Sequence, residues 1–445
     1  MLANFSATWK WYSKTWEEGL GDTRPLGEKE QLLSHLHAHG GLITMQVLHV
    51  RGRLDPALVK RALAWLQNQH PILRAHVRYG KMVWRHIPFF AYRQPWFDTE
   101  GTTEIPLKVL EDTDPDAWRT VFAAEIRTPI PKGNHPRLRI TLVRQSPDAD
   151  LNHIVICADH ATLDAQSANM LARQLLEFLA DPAAAQLKPP LDTTLPPSIE
   201  DSLLSKSGSG KKTTYTPAIR LPKQAVPDRK KETRVVARHL EPVVTETLMD
   251  AVKANRTTPH GAVTAAFLLA MRERYRLDAM TVLTTVDLRR LSRLARAHET
   301  FGCYVDILRT EHPITDDFWA TARDVSFKLI AALAKDHESA SMMKFPGWEV
   351  YRHEVGPGIR HDRRLDGLAV TTTGDSGLQA AYGDYTLEDV TRAVSLDMFG
   401  PSLFVIANER LGGLDLSVGY SALAMSDDEV CRLTDNAVAR LELAG

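Results

Sequence analysis

Leu151-Asn152-His153-Ile154-Val155-Ile156-Cys157-Ala158-Asp159-His160-Ala161-Thr162-Leu163-Asp164 is an apolar run that ends by delivering a histidine and, four residues later, an aspartate. Such a run predicts a buried strand. An imidazole titrates near neutrality, so a histidine held at the strand end can take a proton from a hydroxyl or an amine at cellular pH. Downstream, Leu171, Leu175, Phe178 and Leu179 recur at helical spacing, so His160 and Asp164 fall where a strand hands over to an amphipathic helix. The spacing alone is a weak signal, because 17 histidines among 445 residues meet acidic neighbours by chance.

The rest of the chain narrows the reading. A length of 445 residues exceeds the usual single domain, so two lobes of roughly 200 residues each are expected. A net charge of -1 gives no overall field toward nucleic acid or an anionic membrane, and neither is an expected partner. Cys157, Cys303 and Cys431 are far apart and form no Cys-x-x-Cys pair, which argues against a disulfide scaffold or a zinc site; no His-Glu-x-x-His motif accompanies them, and no metal is expected. The start lacks a basic segment followed by an apolar one, and no run of about 18 apolar residues occurs, so a cytoplasmic protein is expected.

Outward from the motif, residues 1–23 form an aromatic-rich extension with Trp9, Trp11, Tyr12 and Trp16, read as packing on the body. Residues 24–181 form a first lobe. Within it, Leu42–Val50 reads as a strand and Asp55 caps a helix that begins at Pro56 and runs to about Asn68. Pro71 then sends the chain into an extended segment. A strand pair around Val77 and Val83, a helix near 114–127 and a strand at 138–143 lead to the motif. Residues 182–233 carry Pro189-Pro190, Pro196-Pro197, the run Ser205–Lys212 and Arg229-Lys230-Lys231, the texture of an exposed inter-lobe linker. Residues 234–445 form a second lobe: a strand at 234–239, a helix near 242–254, a helix capped by Thr258 through Tyr275, a strand from Met280, strands at 368–373, 402–408 and 414–420, and a closing helix from Ser426. The fold class is α/β, or α+β, with mixed sheets.

Arg24-Pro25-Leu26-Gly27 with Glu30, Gln69–Arg74, His160 to Asp164, Val286-Asp287-Leu288-Arg289, and Val370–Gly374 before Tyr382-Gly383 occur in one order along the chain. In this the sequence resembles the condensation-domain-like acyltransferases of the chloramphenicol acetyltransferase-like superfamily, with the flavour of the free-standing polyketide-associated and alcohol acyltransferase branch. The resemblance implies two lobes in a V shape with an active-site tunnel between them. It also implies transfer of an acyl group from a thioester to an alcohol or amine in specialised biosynthesis. The catalytic base falls on His160, and the supporting aspartate on Asp164, paired with the arginine at Arg289. Thr371, Thr372 and Thr373 fall on a tunnel-facing segment that contacts substrate. No tightly bound cofactor is implied; the donor is acyl-coenzyme A or a phosphopantetheinyl carrier protein, the acceptor a small molecule, and a monomer is expected.

Two positions depart from the carrier-protein-dependent pattern. Asp159 stands where a second histidine is usual and Ala165 where glycine is usual. The carboxylate of Asp159 either raises the pKa of His160 or points to the other side of the strand. Cys157 lies on the opposite strand face from His160 and reads as a small hydrophobe rather than a nucleophile; His70 and His153 read as structural. Two other functions compete with acyl transfer: a catalytically silent binding domain of the same fold, and a thioester hydrolase in which His160 activates water.

Overall fold

The computed structural model describes residues 23–84, 91–191, 193–202, 232–292, 294, 296, 298–336, 367–397 and 400–445. The aromatic-rich start and both basic runs of the linker lie outside the described residues. The first half contains β1 (Thr23–Pro25), α1 (Glu28–Ala38), β2 (Ile43–Arg51), α2 (Pro56–Gln69), β3 (His76–Trp84), β4 (Ala91–Asp98), β5 (Leu107–Glu111), α3 (Ala117–Glu125), β6 (Leu138–Arg144), β7 (Leu151–Asp159), α4 (Ala165–Ala180), α5 (Pro182–Gln186) and α6 (Ile199–Ser202). The second contains β8 (Thr233–Leu240), α7 (Pro242–Ala254), α8 (Pro259–Tyr275), β9 (Ala279–Asp287), β10 (Val305–Pro313), α9 (Phe318–Asp336), β11 (Leu368–Asp375), β12 (Ala381–Tyr382), β13 (Tyr385–Val394), β14 (Leu403–Arg410), β15 (Gly413–Ser421) and α10 (Asp427–Ala444).

Two six-stranded mixed sheets organise the chain, in the orders β12-β13-β2-β7-β6-β5 and β10-β9-β11-β14-β15-β8, with a small sheet β1-β4-β3 beside the first. β7 is central and buried on both faces. Ile154, Ile156 and Ala158 pack with Leu63 and Leu66 of α2 and Leu171 and Leu175 of α4. Val155 and Cys157 pack with Trp118 and Phe122 of α3 on the other face. The second sheet buries Val282, Val370, Val405 and Val418 with α7, α8 and α10.

Local signals act as the side chains dictate. Asp55 accepts from the Ala57 amide at 2.9 Å, Thr258 from Gly261 at 3.0 Å, and Ser426 from Glu429, each satisfying an otherwise unpaired first-turn donor. Pro71 does not lead directly into extended chain: residues 71–74 make one 3-10 turn before β3. The larger correction concerns the lobe boundary. Inside the span 234–445 assigned to the second lobe, β13 pairs with β2 and β12 pairs with β13, so both strands complete the first sheet. Their alternation around Asp389 is broken by a register shift, which hides the strand from a pattern of period two.

Four buried imidazoles are held below the usual histidine range by loss of hydration: His37 at about 4, His49 at about 3, His70 at about 4 and His260 at about 4. Each is neutral when folded, and below pH ~6.5 the unfolded chain binds protons that the folded chain does not. The stability they contribute is therefore complete above pH ~6.5 and falls as the pH drops toward 4, by about 1 kcal/mol per group at pH ~5.5. Denaturant midpoints between pH 7.5 and 5 are expected to fall monotonically; a flat profile contradicts the burial of these rings.

Candidate active site

His160 follows directly on β7, one residue past the last strand pair. His160 as a residue is partly accessible, whereas its neighbours Asp159 and Ala161 are fully buried. The imidazole is hydrogen-bonded to its own backbone, a geometry open to Nδ1, and Nδ1 lies 3.8 Å from Cys303 Sγ. Burial lowers the His160 pKa from its usual value; the charges of Asp164 and Asp159 oppose the shift and Lys29 adds to it. Burial also raises the pKa of the Cys303 thiol and takes that of Cys157 up to about 12, so both stay protonated and neither is an activated nucleophile.

Asp159 resolves by strand alternation. Its carboxylate faces away from His160 and accepts both Nε and Nη2 of Arg137, at 3.0 and 2.9 Å, and the Ala161 amide at 3.0 Å. Despite burial its pKa is lowered by His37 and Arg137. The position of the missing second histidine thus holds a neutralised ion pair that fixes the turn into the motif.

Asp164 caps α4 through the Ser167 amide at 2.9 Å and meets Arg289 end-on, with Nη1 to Oδ2 at 2.7 Å and Nη2 to Oδ1 at 3.0 Å, both side chains fully inaccessible. It also accepts the Tyr304 amide at 3.0 Å. Arg289 donates further to Ser167 Oγ at 2.9 Å and to the Thr300 carbonyl at 3.3 Å, and stacks over the Tyr304 ring. Desolvation raises the Asp164 pKa, but Arg289 and these hydrogen bonds outweigh it and the net shift is downward. The network joins the start of α4 to residues 289–304 of the second half. Phe301 stacks on His70 at 4.0 Å, whose Nε2 lies 2.7 Å from Gln174 Oε1, and so docks the same segment into the first core.

The three threonines of β11 are not joined to His160 by hydrogen bonds. Thr372 Oγ1 lies 3.3 Å from His260 Nδ1, Thr373 donates to Asn408 Oδ1, and Thr371 is buried. Sequence reading missed Cys303, Ser167 and Tyr304 around the motif, because more than 130 residues separate Cys303 and Tyr304 from His160 and no spacing rule joins them. Lys29 on α1 was also missed; its ammonium binds the Val305 carbonyl and Asp306 Oδ1, spanning the two halves beside this segment. Among the described residues no group of three or more His, Cys, Asp or Glu side chains is arranged to hold a metal ion. No described helix is long and apolar enough to cross a membrane.

A family profile described as phthiocerol/phthiodiolone dimycocerosyl transferase C-terminus matches residues 229–359, less than a third of the chain. No curated protein matches the sequence. Among solved structures, a trichothecene 15-O-acetyltransferase from Fusarium sporotrichioides is similar at 14% identity with a TM-score of 0.69, covering 95% of this chain and 94% of that one. A nonribosomal peptide synthetase cyclization-docking bidomain from Sorangium cellulosum is 17% identical, with a TM-score of 0.67 over 100% of this chain and 92% of that one. The first condensation domain of the calcium-dependent antibiotic synthetase is 14% identical, with a TM-score of 0.62 and 94% coverage of each chain. With its two mixed sheets, the chain shares the fold of these acetyltransferase, cyclization-domain and condensation-domain structures.

Proposed function

We propose that the protein is an acyltransferase that moves an acyl group from a thioester to an alcohol or amine in specialised metabolism, with His160 as general base. The observation that carries this reading is the imidazole itself: favoured in its neutral form by burial, approached at Nδ1 by Cys303 of the second half, and carried by a partly accessible residue. In this mechanism Nε2 takes the proton of the acceptor hydroxyl or amine as its oxygen or nitrogen attacks the thioester carbonyl. The tetrahedral intermediate collapses with loss of the C–S bond, and the imidazolium protonates the departing thiolate. One ester or amide and one thiol leave, and the base is restored without an acyl-enzyme. Positioning two substrates against one imidazole supplies much of the remaining acceleration.

Asp164 and Arg289 hold the turn and the 300–304 segment around His160; Thr371, Thr372 and Thr373 remain proposed substrate contacts from the second sheet. Coenzyme A and a carrier protein both fit as donors, and the cytoplasm as the setting. The test incubates the protein with simple acyl thioesters and a panel of alcohols and amines, and reads products by mass spectrometry. A conjugate formed by wild type and not by His160→Ala supports transfer. Free acid alone makes the protein a hydrolase, and no turnover of any thioester makes it a binding domain.

The pH profile is a second check. Only neutral His160 acts as base, and burial lowers its pKa in the folded protein, so the acid limb of kcat/KM is expected to have its midpoint below pH ~6.5. An acid limb centred above neutrality contradicts the assignment.

A further inference from the structure

Arg392 on β13 is 4% exposed, and among the described residues no carboxylate lies within hydrogen-bonding distance of it. Its Nη2 donates to Asn169 Oδ1 of α4 at 2.8 Å, while Nε and Nη1 have no partner. Gln46, opposite Arg392 in the β13–β2 register, is 2% exposed with both amide atoms unpartnered, and Asn169 Nδ2 is unpartnered as well. Asp415 and Asp389 act on Arg392 only at longer range. Asp415 is already engaged by Arg410 and His239, both at 2.6 Å. Burial pulls the guanidinium down to about 10, the sign of a cation with too little compensation.

The imbalance has a direction. Four donor groups, Arg392 Nε and Nη1, Gln46 Nε2 and Asn169 Nδ2, face one acceptor, Gln46 Oε1. Rearrangement within the cluster lets Gln46 Oε1 accept at most two of these donors and leaves two, and the positive charge persists. A buried cation with orphaned donors is strongly unfavourable unless an anion joins it. A carboxylate offers only acceptors, carries the opposite charge and is small and planar. The cluster also has the right address. Asn169 lies five residues after Asp164 on α4, and Gln46 pairs with Ile156, four residues or about 13 Å of strand before His160.

We propose that Arg392, Gln46 and Asn169 form a receptor for a free carboxylate carried by a substrate, whose reacting group lies at His160. The carboxylate belongs to a dicarboxylic acyl donor or to an amino- or hydroxy-acid acceptor. The inference rests on the acyl-transfer reading for the role of that ligand, but carboxylate binding is measurable without turnover. Calorimetric titration of His160→Ala with glutarate is expected to show saturable binding, weakened roughly 10- to 100-fold by adding Arg392→Met. Arg392→Met is expected to fold at least as stably as its parent, because it removes a buried charge; Asn169→Ala, which weakens the cluster without touching the charge, serves if it does not.

In the active enzyme, N-acetylcysteamine thioesters of dicarboxylic acids from succinic to sebacic are compared with matched monocarboxylic ones, and tyrosine with tyramine as acceptors. A preference for the carboxylated member of either pair, lost in Arg392→Met with KM rather than kcat changed, supports the receptor and identifies which substrate it serves. Absence of glutarate binding, binding of inorganic phosphate in its place, or a preference untouched by Arg392→Met overturns it. Glutarate binding without any thioester turnover keeps the receptor and overturns the acyl-transfer reading instead.

Discussion

Replacing His160 by alanine is expected to lower kcat/KM for acyl transfer by about 10²- to 10⁴-fold, the range general base catalysis supplies. The folded state should survive the change. Among the described residues His160 holds no ion pair, the residue is partly accessible, and its side chain approaches Cys303 Sγ at 3.8 Å. The fixed turn around it is secured by other groups, the Asp159–Arg137 pair on one side and Asp164 on the other. The expected signature is therefore an inactive protein with an unchanged unfolding midpoint, partly restored by free imidazole in the buffer. Retention of more than a tenth of wild-type activity removes His160 from the mechanism.

Breaking the Asp164–Arg289 pair acts on the other axis. Both side chains are 0% exposed, so Arg289→Ala leaves an uncompensated carboxylate, and Asp164→Ala an uncompensated guanidinium, out of reach of water. Such truncations cost about 3–5 kcal/mol. Arg289→Ala also strips the donor from Ser167 Oγ and the Thr300 carbonyl, and Asp164→Ala strips the acceptor from the Tyr304 amide. Asp164→Asn loses the charge and keeps an acceptor for only one of the Ser167 and Tyr304 amides, which bond different carboxylate oxygens, so it is expected to lose activity chiefly by misplacing the segment that brings Cys303 to His160. Denaturant unfolding of Asp164→Ala, Arg289→Ala and the Asp164→Ala/Arg289→Ala double variant provides the check. The double variant should be less destabilised than the sum of the singles. Single-variant losses below 1 kcal/mol are incompatible with a structural pair.

Much of the architecture was legible because the deciding signals are local. The apolar run of β7, the caps at Asp55, Thr258 and Ser426, and the helical period after Asp164 each act within a few residues of chain. The His160-to-Asp164 turn was readable for the same reason. What escaped was non-local. Cys303 and Tyr304 reach the motif only after the second half folds back, and the unpartnered donors of Arg392, Gln46 and Asn169 become visible only when β13, β2 and α4 are side by side. β13 itself was hidden by its register shift and by a partner, β2, hundreds of residues earlier.

That partnership bears on birth at the ribosome. β2 ends at Arg51 and its neighbour β13 starts at Tyr385, so 385 − 51 = 334 positions must be translated before the pair can form. At about 5–20 residues per second this takes roughly 17 to 67 seconds. Throughout that interval a nascent first half presents an apolar strand margin with nothing beside it, the kind of template on which neighbouring chains pair wrongly. Holdase chaperones, slow-growth expression and co-expression of the missing half are thus expected to govern the yield of intact protein more than any property of the finished fold.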